Sequence, residues 1–271
     1  MRRRGGSTSL HAVRTVTATR YVTPLREGGS LPAIVEADDS GLYVVKFRGA
    51  GHGVNALLAE CISGELARAA GLRVPEIVAV EVDAALGRNE PDQEIRDLLR
   101  ASTGLNLGLD WLPGSLTFDP VAGPAPSAAE ASAIVWFDAF TSNPDRTARN
   151  PNLLCWHRQL WLIDHGASLY FHHAWDDEET RSRSAFAAIR EHVLLPWATD
   201  IAAAGRAIRE RLTSETIARV LEAVPADWLT GEARFPTPAE HRAGYHRHLL
   251  RRLASAAAFE QEAERARTAV V

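Results

Sequence analysis

Residues 143–166 read NPDRTARNPNLLCWHRQLWLIDHG and set Asp145, Asn150, Asn152 and Asp164 around two short apolar runs. The runs LLCW and LWLID flank the turn HRQ, so they read as a β-hairpin that brings its two polar ends together. Asp145 stands five positions before Asn150, the D-x-x-x-x-N spacing of a loop whose carboxylate orients an attacking hydroxyl and whose amide binds metal. Asp164-His165-Gly166 then takes the place of a D-F-G element, whose Asp also holds metal. Magnesium prefers oxygen ligands, one or two from protein and the rest from phosphate and water, so an Asp and an amide held together suit MgATP. Either motif alone arises readily by chance, whereas the two in this order arise at a level on the order of one per cent.

Upstream, YVVKF ends a strand pattern on Lys46. A lysine on a buried strand is expensive unless paired, and the strand lysine of a V-A-I-K motif holds ATP phosphates while a helix glutamate positions it. A surface lysine on an edge strand is the competing reading. Val54, Leu57, Leu58, Cys61, Ile62 and Leu66 recur at helical spacing up to Gly71, which ends the helix as a C-terminal glycine does. Glu60 and Glu65 both lie near that apolar stripe, and helical phase leaves the choice between them open. Arg26-Glu27-Gly28-Gly29-Ser30 joins two strands where a phosphate-covering loop would lie, its glycines letting backbone N–H groups approach an anion. An ordinary hairpin turn explains Gly28, Gly29 and Ser30 equally well, and no G-K-[ST] follows, so this is not a Walker A loop.

With 271 residues, 46% of them hydrophobic, the chain is long enough to bury a sizeable core as one large domain or two packed lobes. A formal net charge of −4 gives no support to general nucleic-acid binding. Cys61 and Cys155 lack the short-spaced partners of a zinc site and read as buried thiols in a reducing cytoplasm. Three basic residues, Arg2 to Arg4, precede no apolar run of signal-peptide length, and no stretch is long enough to span a bilayer. Residues 1–12 are expected to form a disordered arm, 13–105 a strand-rich lobe, and 106–271 a helix-rich lobe. Within the first lobe, three strands to Phe47 form a meander, followed by the helix at 54–70, a strand in VPEIVAVEV and a short helix in EPDQEIRDLLRAS. The Pro- and Gly-rich stretch 112–127 opens the second lobe, which continues through a helix in AAEASAIVWFDAF and reads as helical from about residue 180 onward. His241, His246, His248 and the arginines around them are expected on a solvated helical face, and His172 and His173 receive the same plain reading.

The order Lys46, Glu60, Asp145, Asn150, Asp164 resembles a protein-kinase-like fold, and NPDRTARN with LWLIDHG resembles the HipA family of serine/threonine kinases. ECISGELARAAGLRVPEI is similar to that family's glutamate-bearing helix and following V-P strand. The resemblance covers about residues 20–170. It implies a two-lobed α+β kinase-like fold, with a small antiparallel sheet and one helix in the N-lobe and a mostly helical C-lobe. It implies a stand-alone cytoplasmic kinase domain using ATP and Mg2+, with Lys46 on the phosphates, Glu60 (not Glu65) paired with it, Asp145 as catalytic carboxylate, Arg146 supporting the loop, and Asn150 and Asp164 as metal ligands. The adenine hinge is expected in TGLNLGLDW, at Leu107 and Leu109. The acceptor is an unidentified protein or small molecule, with no nucleic-acid or membrane partner. Asn143 replaces the usual His, and His165 the usual Phe, of the two kinase motifs.

Overall fold

The computed structural model describes residues 13–25, 31–51, 53–88 and 90–270. The basic arm at 1–12 and Gly28, Gly29 and Ser30 lie outside the described residues.

Alternating apolar residues make the first three strands: β1 (Thr15–Pro24), β2 (Ala33–Ala37) and β3 (Leu42–Lys46). Val16, Ala33, Val35, Tyr43 and Val45 turn one way and are buried together. Successive strand residues point to opposite faces, so Lys46, next to Val45, must point out of this cluster. Helix α1 (Val54–Ala70) follows, then β4 (Ile77–Val82), α2 (Gln93–Ala101) and β5 (Gly104–Asp110). Asp92 caps α2 by accepting the Glu94 amide. Leu105, the expected change of lobe, lies inside β5.

The five strands close into a barrel in the order β1-β2-β3-β5-β4. Every pair is antiparallel except β1 with β4, where Thr15–Thr17 run parallel to Ala79–Glu81 and seal the sheet. Inside it, Gly108 has no room for a side chain: a Cβ there would stand 2.7 Å from Val80 and 2.9 Å from Val78. The outer face of β4 and β5, with Ile77, Ala79, Leu107 and Leu109, joins the larger core that α1 shares with the second lobe. Helix α1 is buried on nearly every side, which is why its hydrophobic pattern is broad rather than striped.

A two-residue strand, β6 (Leu116–Thr117), emerges from the Pro- and Gly-rich stretch. After it come α3 (Ala128–Thr141) and the hairpin β7 (Leu153–Trp156) and β8 (Gln159–Leu162), to which β6 adds as an edge. The hairpin turn is tighter than HRQ suggests: His157 and Arg158 alone form it, both at positive φ, as a type I′ turn requires. The rest of the lobe is α4 (Glu178–Ser182), α5 (Ile201–Arg211), α6 (Ser214–Ala223), α7 (Pro238–Ala254) and α8 (Ala256–Val270). Residues 183–200 are not α-helical as expected: two short 3-10 segments, Ala187–Glu191 and Leu195–Trp197, are set in irregular chain. The result is a two-lobed α+β molecule with a barrel lobe and a largely helical lobe.

The expected solvated face of α7 is a second correction. His241 and His248 are buried, as is His172, whose Nδ1 lies 2.9 Å from the Tyr245 hydroxyl. These imidazoles stack among Phe171, Trp175, Phe235 and Tyr245, because α7 packs that face against the segment 170–182. Arg252 is also fully buried, donating to Ala139 O at 2.7 Å and Phe140 O at 3.2 Å. Those carbonyls belong to the last turn of α3 and have no partner within the helix, so the guanidinium closes its C-terminus. Cys155 is half-buried, whereas Cys61 is fully buried.

Gly71 ends α1 at φ 90, with its own amide on Arg68 O and the Leu72 amide on Ala67 O. That paired closure needs a left-handed residue, which costs an L-amino acid about 1–2 kcal/mol. A Cβ there would also strike the Arg211 guanidinium, which donates to Ala70 O at 2.7 Å. Gly71→Ala is therefore expected to lower the urea unfolding free energy by about 1–2 kcal/mol; a variant as stable as the parent would show that the helix end is not held this way.

Candidate active site

Lys46 leaves the end of β3 on the face opposite the barrel interior and meets α1. Its Nζ donates to Glu60 Oε2 and to Asp164 Oδ1, both at 2.5 Å. One ammonium thus joins a strand of the first lobe, its helix, and Asp164, two residues beyond the end of β8. The Glu60 side chain is fully buried, that of Lys46 is 13% exposed and that of Asp164 is 46% exposed. Glu65, the rival of Glu60, faces Arg68 at 3.7 Å instead.

Burial by itself would raise the Glu60 carboxyl, but the charge and hydrogen bond of Lys46 together with the neighbouring His165 outweigh it and bring the pKa down to about 2. Burial likewise opposes the charge on Lys46, and the two carboxylates overcome it and raise its pKa above the ordinary lysine value. The pair is therefore ionised at neutral pH. Behind it His165 is fully buried, with Nδ1 3.5 Å from Glu60 Oε1 and its ring edge-on to Phe137.

The loop after α3 forms a second cluster. Asp145 Oδ2 accepts from the side-chain amides of Asn150 at 3.0 Å and Asn152 at 3.2 Å. Asn152 also donates to the Asp145 carbonyl at 2.9 Å, a local closure that its φ of 48 permits. Asn143 accepts the Asp145 amide at 3.1 Å and donates to Asp138 at 3.2 Å. Asn143 thus acts as an amide clamp at the base of the loop.

Arg146 is buried beneath the loop. It pairs with Asp138 Oδ2 at 2.5 Å, donates to the Asn152 carbonyl, and reaches Ile163 O at 3.5 Å. The Ile163 amide donates to Asn152 O at 3.1 Å. Arg146 therefore ties the Asp145 loop to the residue before Asp164, and so links the two clusters. His192 adds a further contact to Asp138, at 2.9 Å. Burial works against the Asp138 charge, but Arg146 and His192 outweigh it and hold the carboxyl well below the usual range.

Leu107 and Leu109 are buried on β5, and Leu107 is the register partner of Lys46. Among the described residues, no group of three or more His, Cys, Asp or Glu side chains is placed to hold a metal ion. A magnesium ion bound with phosphate needs fewer protein ligands than that. Asp164 meets Lys46 through Oδ1 and Asn150 donates to Asp145 through its amide nitrogen, so each keeps one side-chain oxygen that these contacts do not use.

Motif spacing did not point to Asp138 or His192. Asp138 did carry a signal: it is the one charge in the apolar run AIVWFDAF, and a charge in a buried helix requires a partner. His192 carried none. A further signal lay in composition, because Lys46 is the only lysine among the chain's 30 lysine and arginine residues. Arginine serves every other cationic position, and the ammonium is kept where a compact point charge sits between two carboxylates.

A family model described as HipA-like kinase matches residues 19–262. Among solved structures the chain is similar to the proinflammatory kinase CtkA of Helicobacter pylori, with a TM-score of 0.58 and 12% identity, over 93% of this chain and 98% of that one. No curated protein sequence matches the chain. Among the described residues, no helix is long and apolar enough to cross a membrane.

Because its folded pKa of about 2 lies below the ordinary 4.5, Glu60 contributes stability that is present above pH 4.5 and lost as pH falls through 2. At about 1.4 kcal/mol per unit this amounts to roughly 3 kcal/mol. Glu60→Gln should be less stable than the parent by about that amount at neutral pH, and the gap should close across the same acid window in urea titrations. A gap that stays constant with pH would mean the carboxylate charge is not what holds Lys46.

Proposed function

Since the chain belongs to the HipA-like kinase family, we propose that it is a MgATP-dependent phosphotransferase acting on a serine or threonine hydroxyl of a protein. The observation that carries this reading is the double contact of the sole lysine, Lys46, with Glu60 and Asp164. A lysine fixed by a buried helix carboxylate cannot drift into solvent, so its charge stays where nucleotide phosphates would lie.

In this reading the acceptor oxygen attacks the γ-phosphorus, the bond from that phosphorus to the β–γ bridging oxygen breaks, and ADP leaves with the bridging oxygen. Asp145 orients the hydroxyl and takes its proton. Two amide donors hold the acceptor edge of Asp145 in place, so its carboxylate is aimed before substrate arrives. Lys46 balances phosphate charge, Glu60 keeps it in position, and Arg146 with Asp138 fixes the loop from below. Asn150 and Asp164 would hold magnesium, which when bound neutralises phosphate charge and aligns the triphosphate. The nucleotide base would lie near β5, and two free cysteines suit a reducing cytoplasm.

Asp145→Asn is expected to lower turnover at least about a hundredfold, about 2.7 kcal/mol of barrier, while stabilisation of the protein by MgATP in thermal melts is nearly retained. Equal turnover in the variant removes the role assigned to Asp145. A parent protein that MgATP stabilises but that transfers no phosphate would instead be a nucleotide-binding module.

A further inference from the structure

Behind the Lys46 contact, two buried polar groups face one another without a partner. Glu60 Oε1 and both ring nitrogens of His165 are shut off from solvent and make no hydrogen bond among the described residues. Nδ1 stands 3.5 Å from Oε1, beyond the length of about 2.7–2.9 Å that a hydrogen bond to a carboxylate takes. Both side chains are fully buried, so bulk water does not stand in for the missing contact. A buried oxygen left without a donor bears its whole desolvation penalty.

The surroundings fix where the imidazole aims. Its ring lies edge-on to Phe137 of α3, and its carbonyl accepts the Ser168 amide at 2.9 Å. The Leu169 amide reaches Thr141 O at 2.9 Å and ties the same segment to the end of α3. On the other side the segment rests on α1, where a Cβ on Gly166 would meet the Ala56 carbonyl at 3.7 Å. Placing the ring hydrogen on Nδ1 gives Glu60 Oε1 the donor it lacks.

That donor matters most once nucleotide is bound. As the site stands, Lys46 has two anchors, Glu60 Oε2 and Asp164 Oδ1. Asp164 is the residue assigned to the metal, and a carboxylate engaged there attracts the ammonium less. Glu60 then becomes the main anchor, and a carboxylate held at one oxygen can still turn about its last side-chain bond. A second donor, on Oε1, removes that freedom. His165 follows Asp164 directly, so a shift of one carries the other with it.

Resting on the phosphotransferase reading above, we infer that His165 is a positioning residue: closing the 3.5 Å gap, its Nδ1–H donates to Glu60 Oε1 and fixes the carboxylate that keeps Lys46 on the nucleotide phosphates.

Two substitutions separate the donor from the ring. His165→Phe keeps an aromatic ring and loses the N–H, whereas His165→Asn loses the ring and offers its Nδ2–H in place of Nδ1–H. The kcat/KM for MgATP should fall about tenfold or more in His165→Phe, the loss of a hydrogen bond to a charged group, and return to within about threefold of the parent in His165→Asn. The acceptor KM should stay unmoved in both. A packing role predicts the reverse order, because Asn leaves a hole against Phe137. A crystal structure with a non-hydrolysable MgATP analogue should bring Nδ1 to about 2.8 Å from Oε1. A Phe variant as active as the parent, an Asn variant no better than Phe, or a gap unchanged in that crystal overturns the role of His165 and leaves the phosphotransferase standing. Should His165→Phe not fold, the crystal distance decides alone. A parent that binds the analogue but transfers no phosphate overturns the phosphotransferase reading, while the distance and the order of MgATP affinities still judge His165. A parent that binds no nucleotide overturns both.

Discussion

An ammonium taken out of water must find anions, and in this chain Lys46 finds two, from different parts of the fold. Glu60 comes from α1, deep in the shared core, and Asp164 from the end of the β-hairpin. Placing both at 2.5 Å constrains β3, α1 and the hairpin at once, because a shift of any one would leave a buried charge unpaired. Much of the architecture follows from meeting that demand. The barrel must close so that β3 has a defined inner and outer face. Helix α1 must be anchored at both ends, which the paired amide closure at Gly71 does at one of them. The hairpin must present Asp164 in the left-handed region, at φ 57, a conformation that Asp tolerates better than most residues.

The second constraint lies beneath the loop. Arg146 and Asp138 form a fully buried pair, which contributes little net stability by itself, since desolvation consumes most of the attraction. Its value is geometric. The guanidinium has donors left after Asp138 is satisfied, and it uses them on the carbonyls of Asn152 and Ile163, so one side chain sets the spacing between the Asp145 loop and Asp164. Arg252 does the corresponding work one turn earlier by closing the C-terminus of α3, where the loop begins. A lysine could not replace either residue, because a point charge lacks the fork of donors that reaches several carbonyls.

Period-two alternation in YVVKF and the helical spacing in α1 made the local elements of the first lobe legible, and the order Lys46, Glu60, Asp145, Asn150, Asp164 marked out the candidate site. Such patterns report one element and one burial face at a time. They do not report which distant element covers that face. The parallel closure of β1 onto β4 joins Thr15 to Ala79, and no local signal encodes it. His241, His248 and Arg252 read as surface groups because the sequence of α7 is rich in charge all round; only packing against the segment 170–182 and α3 makes them interior. Asn152 read as a plain loop-capping amide, and what it caps became clear only once Asp145 lay within its reach.

The charges of the two clusters do not cancel. The two clusters contain three carboxylates, Glu60, Asp145 and Asp164, against a single ammonium, and Arg146 is already balanced by Asp138. Taken together they are net negative, which disfavours a bare triphosphate by Coulomb repulsion at short range. A divalent cation reverses that balance, since Asp164 and the phosphates then attract the same charge and not one another. On the proposed reading, the site would therefore take nucleotide and magnesium together, and free ATP should be a poor ligand for the same reason that Lys46 is held so tightly: the local field is set by carboxylates.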